Sequence, residues 1–462
     1  MEMNYSEARE YLKNVNKLGS ILGLNTIKEL LKRLGNPQNE LKVVHIAGTN
    51  GKGSIMTFVQ NILMESGYKV GRYCSPAVFN EREIIRINDE YISEEQSADL
   101  LTRIKEKCDS MHSEGLPHPT SFEIETAEAL MFFKEQNCDI ALIECGMGGE
   151  TDATNVFEKV LCSVIATISL DHTQFLGSTI EEITKVKSGI IKENCPVVMS
   201  KQTGEAESVI KKVCKQKNSE LIIPTEQDFE NVEIDGLTTK VTYKASNNKE
   251  YILNLQTLGT YQIKNAKTAV EVALVLDKAL TEKTNICDES DKNNGTGMKN
   301  NINNSGNAIE KNIKKGIEKT VWPGRMEVIS KEPLIIIDGA HNPGAVLELR
   351  KTLDLYFTNK RITFIMGVLS DKDFSKEAEI IADRAERIIT ITPNNSRGLD
   401  GHKLAETLVK YNHNVQVADS LKQAAEESID TIKENRADMI LAFGSLSYLG
   451  ELKQVVRLIC NH

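Results

Sequence analysis

No feature constrains this chain more than the stretch Leu41-Lys-Val-Val-His-Ile-Ala-Gly-Thr-Asn-Gly-Lys-Gly-Ser54. The short apolar run Val43 to Ala47 predicts a buried parallel strand. From Ser54 onward, Ile55, Phe58, Val59, Ile62 and Leu63 recur at helical spacing. Between them Gly48, Gly51 and Gly53 place three glycines within six residues. A strand, a glycine loop with a lysine, and a helix form the geometry that cradles phosphate. Glycines let backbone N–H groups turn inward, and a helix N-terminus adds positive potential. From such a loop Lys52 reaches terminal phosphates, and the Ser54 hydroxyl suits Mg²⁺. The spacing is not that of the common loop G-x-x-x-x-G-K-[ST], which would need glycine in place of Ile46 and Ser or Thr in place of Gly53. The plainer alternative is a glycine-rich turn without a ligand. A lysine between two glycines has little structural use, so phosphate binding by Gly48, Thr49, Asn50, Gly51, Lys52, Gly53 and Ser54 is the expectation.

At 462 residues the chain should hold two or three domains, and 40% hydrophobic residues suffice for full cores. Lys and Arg number 56 against 66 Asp and Glu, a net charge of −10. That balance argues against a nucleic-acid binder held by phosphate contacts, yet allows a small anionic substrate in a local basic pocket. The nine cysteines show no C-x-x-C pair and no zinc spacing, which fits reduced thiols in a cytoplasmic protein. Met-Glu-Met-Asn-Tyr-Ser lacks a secretion signal, and no apolar run approaches membrane-spanning length. The expectation is a cytoplasmic monomer with no membrane or nucleic-acid partner.

Residues 5–34 predict two helices broken near Gly19 and Gly23. After the loop helix, strands are expected at Tyr68–Tyr73, Glu83–Ile87, Ile140–Glu144, Val164–Ile168 and Pro196–Met199. Helices are expected at Ser93–Met111, with Ser93 and Gln96 at capping-box spacing, at Ser121–Gln136 and at Ile180–Ile191. This alternation predicts an α/β fold with a mostly parallel sheet. From Phe229 to Leu258 the pattern changes to hairpins around Asp235-Gly236 and Asn247-Asn248, and Tyr261–Leu280 predicts a long helix. Asp288 to Lys315 is rich in Asn, Lys and Gly and reads as a flexible linker. Beyond it, strands at Leu334–Ile337, Ile362–Met366, Ile388–Ile391, Val415–Ala418 and Met439–Ala442 alternate with helices in a smaller Rossmann-like domain. The division expected is an N-terminal P-loop-type domain over 1–284, a linker over 285–318 and a C-terminal α/β domain over 319–462.

Two residues stand out by position. Glu144 ends a buried strand, at the sheet edge where open α/β sheets bind ligands. There it could hold a Mg²⁺ shared with Ser54, or simply cap the glycine loop that follows. His172 lies just past another strand end; a lone histidine is more often structural, but its place on the same edge makes it a candidate ligand.

The form G-T-N-G-K-G-S resembles the Mur ligase family, and within it the folylpolyglutamate and dihydrofolate synthases, which use ATP to join a carboxylate to an amino acid. Further similarities follow in order: Thr120-Ser-Phe-Glu123, Gly259-Thr-Tyr-Gln-Ile-Lys-Asn-Ala266, Trp322-Pro-Gly-Arg-Met-Glu327, Asp338-Gly-Ala-His-Asn-Pro343, Ser370-Asp-Lys-Asp373 and Phe443-Gly-Ser-Leu446. The resemblance implies ATP contacts from Gln262, Asn265, Arg325, Asp338 and His341, and catalytic roles for Lys52, Lys187 and His341. It implies Mg²⁺ at two sites, with Ser54, Glu144, His172 and a carbamylated Lys187 as ligands; without it Lys187 would read as a solvated helix residue. On the substrate side it implies Ser75, Phe122, Glu123 and Asp152. Substrates would be ATP, L-glutamate and a folate or dihydropteroate, joined through an acyl phosphate. The chain departs from the pattern at Ser75-Pro-Ala-Val78, where the family has S-P-H-L, and at Glu150, where it has a basic residue. Alternatives are a Mur-type ligase with another carboxylate, or a non-catalytic nucleotide-binding module.

Overall fold

The computed structural model describes residues 2–16, 23–225, 232–291 and 308–460. The strand Val43–Ala47 sits inside an eight-stranded sheet. Its neighbours are Ile140–Glu144 on one side and Cys162–Ile165 on the other, both parallel to it. Val70–Tyr73, Val197–Met199 and Leu221–Ile222 continue the parallel set outward, and an antiparallel pair, Ile85–Ile87 with Glu90–Tyr91, forms one edge. The central strands are mostly apolar, with His45, Ser163 and Glu144 as buried polar exceptions, because helices cover both faces. Alternation along the strand sends Val44 and Ile46 into one core, with Phe58, Ile62 and Val270, and Val43 into the other, with Leu101, Ile124 and Phe133.

The hairpin region forms a separate three-stranded antiparallel sheet, Val232–Asp235, Thr238–Lys244 and Glu250–Leu255. The long helix Thr260–Asp291 follows it. The C-terminal region builds a six-stranded sheet in the order Glu327–Lys331, Leu334–Ile337, Met439–Phe443, Ile362–Met366, Arg387–Thr390, Val415–Val417. Five of these strands are parallel, and Glu327–Lys331 pairs antiparallel at the edge. The sequence pattern did not single out that edge strand, nor the helix Gly204–Gln216 that connects the strands Val197–Met199 and Leu221–Ile222. The expected break near Gly19 lies outside the described residues. No described helix is long and apolar enough to cross a membrane.

The expected linker needs correction at its C-terminal end. Ala308–Lys319 is a helix with Ile309, Ile313, Gly316 and Ile317 buried in the N-terminal core. It packs on the loop helix Lys52–Glu65; a Cβ on Gly316 would collide with the Ile62 backbone. Lys315 and Lys319 both pair with Glu65. The reason for the miss is physical. Three isoleucines spaced by four make a complete apolar stripe, but a composition averaged over the Asn- and Lys-rich segment dilutes them below notice. The remainder, 292–307, lies outside the described residues. We therefore propose that the N-terminal unit extends to about Thr320 and that the C-terminal unit begins there.

This packing makes a measurable claim. Ile313→Ala opens a cavity and Gly316→Val forces two backbones apart, so each is expected to destabilise by about 2–3 kcal/mol, read as a lowered urea midpoint at unchanged m-value. Replacing 308–315 by a Gly/Ser linker should likewise lower the melting temperature; an unchanged value would return this segment to the linker.

Candidate active site at the sheet edge

The loop between Ala47 and Lys52 is shaped by contacts that exclude side chains. Gly48 has φ +150°, and a Cβ there would stand 2.7 Å from Ala166 Cβ. Gly51 has φ +91°, and its Cβ would stand 2.5 Å from Asn265 Oδ1. The N–H groups of Thr49 and Asn50 donate to the Thr167 carbonyl at 2.8 and 3.0 Å, pinning the loop to the neighbouring strand end. The helix Lys52–Glu65 then starts from Gly51 with no side-chain cap, leaving its first N–H groups for an anion.

Two lysines converge on this loop. Lys52 Nζ donates to the carbonyls of Gly48 and Thr49 at 3.2 and 3.3 Å and lies 3.5 Å from Glu144 Oε1. Lys187 Nζ donates to the same Gly48 carbonyl at 3.0 Å from the end of the helix Ile180–Lys187. Lys187 is 5% exposed. Burial, reinforced by the Lys52 charge, lowers its pKa to about 8. Glu144 is buried beside them, and the Cys74 thiol donates to its Oε2 at 2.6 Å. Ser54 is buried one turn into the helix. His172 is exposed at φ +51° ahead of the short helix Thr173–Leu176. Its pKa is lowered, chiefly by partial desolvation at the crowded sheet edge, with Asp171 opposing. Among the described residues no three His, Cys, Asp or Glu side chains converge into a metal cage.

The C-terminal unit closes over the same edge. Asn50 and Asn342 exchange amide hydrogen bonds, each 3.1 Å. Asn342 also donates to Asp171 at 3.1 Å, and Lys372 pairs with Asp171 at 2.8 Å. Asp338 is buried and fully occupied: Tyr261 Oη donates at 2.5 Å, Met326 N at 2.9 Å and Ala340 N at 2.8 Å. Burial raises its pKa against the pull of Arg325. His341 donates from Nδ1 to the Gly339 carbonyl at 2.7 Å when protonated there. Burial, then Lys372, lowers its pKa to about 4, so the ring is neutral at physiological pH. The Arg325 guanidinium occupies the space a side chain at Gly339 would need. Gln262 is fully buried and accepts from Asn265 at 3.2 Å, while its Nε2 has no partner.

A Mur ligase middle-domain model matches residues 46–273, and a Mur ligase glutamate-ligase-domain model matches residues 324–446. The chain is 30% identical to the dihydrofolate synthase/folylpolyglutamate synthase of Bacillus subtilis, covering 97% of this chain and 98% of the other. This chain belongs to the folylpolyglutamate and dihydrofolate synthase family of Mur ligases. It is also similar to the crystal structure of folylpolyglutamate synthase from Thermotoga maritima, at 32% identity and a TM-score of 0.77, covering 98% of this chain and 96% of that one. A folylpolyglutamate synthase complex with AMPPCP and folate aligns at 28% identity and a TM-score of 0.81, covering 98% of this chain and all of the other.

The four residues expected on the substrate side each have a defined local setting. Ser75 follows the strand Val70–Tyr73 and precedes a cis bond to Pro76. The Phe122 ring lies 6.2 Å from that of Tyr73 and leaves no room for a side chain at Gly146. Glu123 is the closing residue of a capping box: Thr120 N donates to its Oε2 at 2.7 Å, and its own N–H donates to Thr120 Oγ1 at 3.2 Å. That carboxylate is engaged in starting the helix Ser121–Glu135. Asp152 accepts from Met147 N at 2.7 Å and from Thr154 N at 3.0 Å, tying the glycine loop after Glu144 into one turn. Glu150 is exposed on that loop, which packs against Val186 and Gly189.

Asp171, Asn342 and Lys372 were not assigned roles from the sequence, although Asn342 and Lys372 lie in motifs already quoted and Asp171 precedes His172; only the fold shows that they meet. Burial pushes the Asp171 carboxyl up, but the Lys372 charge and hydrogen bond outweigh it and hold the pKa at about 2. Because the folded pKa lies below the ordinary 3.8, the pair stabilises above that value and is lost as pH falls through about 2. Lys372→Met is expected to destabilise by about 3 kcal/mol near neutral pH by leaving Asp171 buried and unpaired. The Asp171→Asn/Lys372→Met double variant should recover part of this. Equal losses in single and double variants would show that the pair carries no coupling.

Proposed function

We propose that the protein is an ATP-dependent ligase that adds L-glutamate to a folate through an acyl phosphate, and that its phosphates bind on the loop Gly48–Ser54. The observation that carries this reading is the meeting of Lys52 and Lys187 on the Gly48 carbonyl. It happens beside Glu144 and under the Asn342 and Asp171 contacts from both units. Phosphate oxygens would take over the Lys52 hydrogen bonds now made to the carbonyls of Gly48 and Thr49. The family relatives, one of them solved with AMPPCP and folate, support the substrate classes.

In this reading an oxygen of the substrate carboxylate attacks the γ-phosphorus and ADP leaves. The glutamate amine then attacks the acyl carbon, loses a proton, and the C–O bond to phosphate breaks. Lys52 and Arg325 stabilise charge on the transferring group from fixed positions. The neutral His341, with Nδ1–H held by Gly339, presents Nε2 as a proton acceptor rather than a positive charge. Domain closure keeps water from the acyl phosphate.

The donors fit Mg²⁺: Glu144 and Ser54 are hard oxygen ligands, and the absence of a closed cage among the described residues suits a cation that keeps waters and binds through phosphates. When bound, the ion neutralises phosphate charge. We assign His172 and Lys187 to a second such site. With a pKa of about 8, Lys187 has a neutral fraction near physiological pH, which is the form that adds CO₂ to become a carbamate. We assign the protein to the cytoplasm as a monomer without nucleic-acid or membrane partners; the eight described cysteines are all free thiols, and the net charge is −10.

Incubation with ATP, Mg²⁺, glutamate and either a folate or dihydropteroate, with product masses read, tests the activity. Release of ADP that does not depend on glutamate would overturn it. Lys52→Ala is expected to lower kcat by about a hundredfold to a thousandfold with the fold intact by circular dichroism. Lys187→Ala should be inactive, with acetate restoring part of the turnover, and intact-mass spectra of the wild type should show an acid-labile carbamate. A fully active Lys187→Ala enzyme would remove the second metal site from the mechanism.

A further inference from the structure

Behind the phosphate loop lies a cavity of about 430 Å³ that the proposed reaction does not use, within the roughly 300–1,000 Å³ of small-molecule sites. One wall is the face of the loop helix bearing Thr57 and Gln60; the other carries Arg72, Arg86 and Trp322. Arg72 and Arg86 sit directly opposite each other on antiparallel strands, an arrangement in which like charges repel. Arg86 has Glu83 at 3.6 Å. Arg72 is 3% exposed and, among the described residues, no carboxylate lies within 4 Å of it. Its guanidinium stacks 5.1 Å from the Trp322 ring centroid, Nη1 reaches Thr57 Oγ1 at 3.4 Å, and buried Nε has no partner. Gln60, 2% exposed, donates to the Asn88 carbonyl, which leaves its own buried Oε1 without a donor. Arg72 and Gln60 both line this cavity, and each carries one buried polar atom without a partner among the described residues. Packing alone gives no reason for this, since burying an unpaired guanidinium is costly. With Lys319 the wall holds three cations against two carboxylates, Glu65 and Asp89.

We propose that this cavity binds the α-carboxylate of a γ-glutamyl tail, a reading that rests on the ligase function above. Each γ-glutamyl unit offers a carboxylate for Arg72 and Arg86 and an amide N–H for Gln60 Oε1; inorganic phosphate offers the first far better than the second. The position also fits a tail whose growing end lies at the phosphate loop. Trp322 touches Gly53, Thr57 donates to the Gly53 carbonyl at 2.8 Å, and Arg72 lies within the field of Glu144.

Trp322 is the only tryptophan, so occupancy has a built-in reporter. In the full-length protein, tri-γ-glutamate without a pterin should change Trp322 emission saturably. Arg72→Met and Arg86→Gln should each weaken that binding by about tenfold, the loss expected for one charged hydrogen bond. The same variants should raise KM for a triglutamylated acceptor and leave kcat, and KM for the monoglutamylated acceptor, unchanged. Arg86→Gln, on a partly exposed side chain, carries the test if Arg72→Met does not fold. No emission change with tri-γ-glutamate, an equal KM rise for both acceptors, or a phosphate signal that tri-γ-glutamate does not displace would each overturn the tail site. The titration needs no turnover. A silent titration in an active enzyme therefore removes this site alone, and tail binding without glutamate-dependent ADP release removes the ligase reading alone.

Discussion

The Gly48 carbonyl oxygen accepts hydrogen bonds from two lysines, the partly exposed Lys52 and the buried Lys187, and the site depends on that crowding. Lys52 comes from the loop helix and Lys187 from a helix more than a hundred residues later. Burial, and after it the Lys52 charge, lowers the Lys187 pKa. Glu144 offsets part of this charge from 3.5 Å. The result is a concentrated positive field around a loop whose helix N-terminus is uncapped, suited to an anion carrying several charges.

The loop holds that geometry because three different elements leave no space for side chains on it. Ala166 meets Gly48, Asn265 meets Gly51 and Trp322 meets Gly53. These contacts come from a sheet strand end, from the long helix, and from the segment joining the two units. Loop shape is therefore coupled to the placement of the C-terminal unit, and the Asn50–Asn342–Asp171–Lys372 chain of hydrogen bonds extends the coupling to its sheet. An ATP-dependent ligase that must hide an acyl phosphate from water benefits from a site completed by closure.

Much of the fold was legible in the sequence. Val43–Ala47, Ile140–Glu144, Leu334–Ile337 and Ile362–Met366 appear at the expected residues, because a strand buried on both faces is a short, mostly apolar run. Helices with capping boxes were equally plain, as at Ser93 with Gln96. Elements with weak or diluted patterns were not. Glu327–Lys331 is a half-exposed edge strand, and Ala308–Lys319 hides three isoleucines among lysines and asparagines. Thr120-Ser-Phe-Glu123 carries a second, structural signal, since its glutamate closes a capping box at the start of the helix Ser121–Glu135.

By itself the sequence determined the strand, glycine loop and helix around Lys52, the alternation of strands and helices, and the family to which the chain belongs. All three are written in local order: glycine spacing, apolar periodicity and short motifs in series. Only the tertiary structure decided that Lys187 faces Gly48, that Asn342 and Lys372 reach across to Asp171, and that Arg72 shares a cavity with Gln60. Those pairings join residues far apart in the chain, and their energies depend on burial and distance. Burial and distance belong to the folded molecule and leave no local mark in the order of its residues.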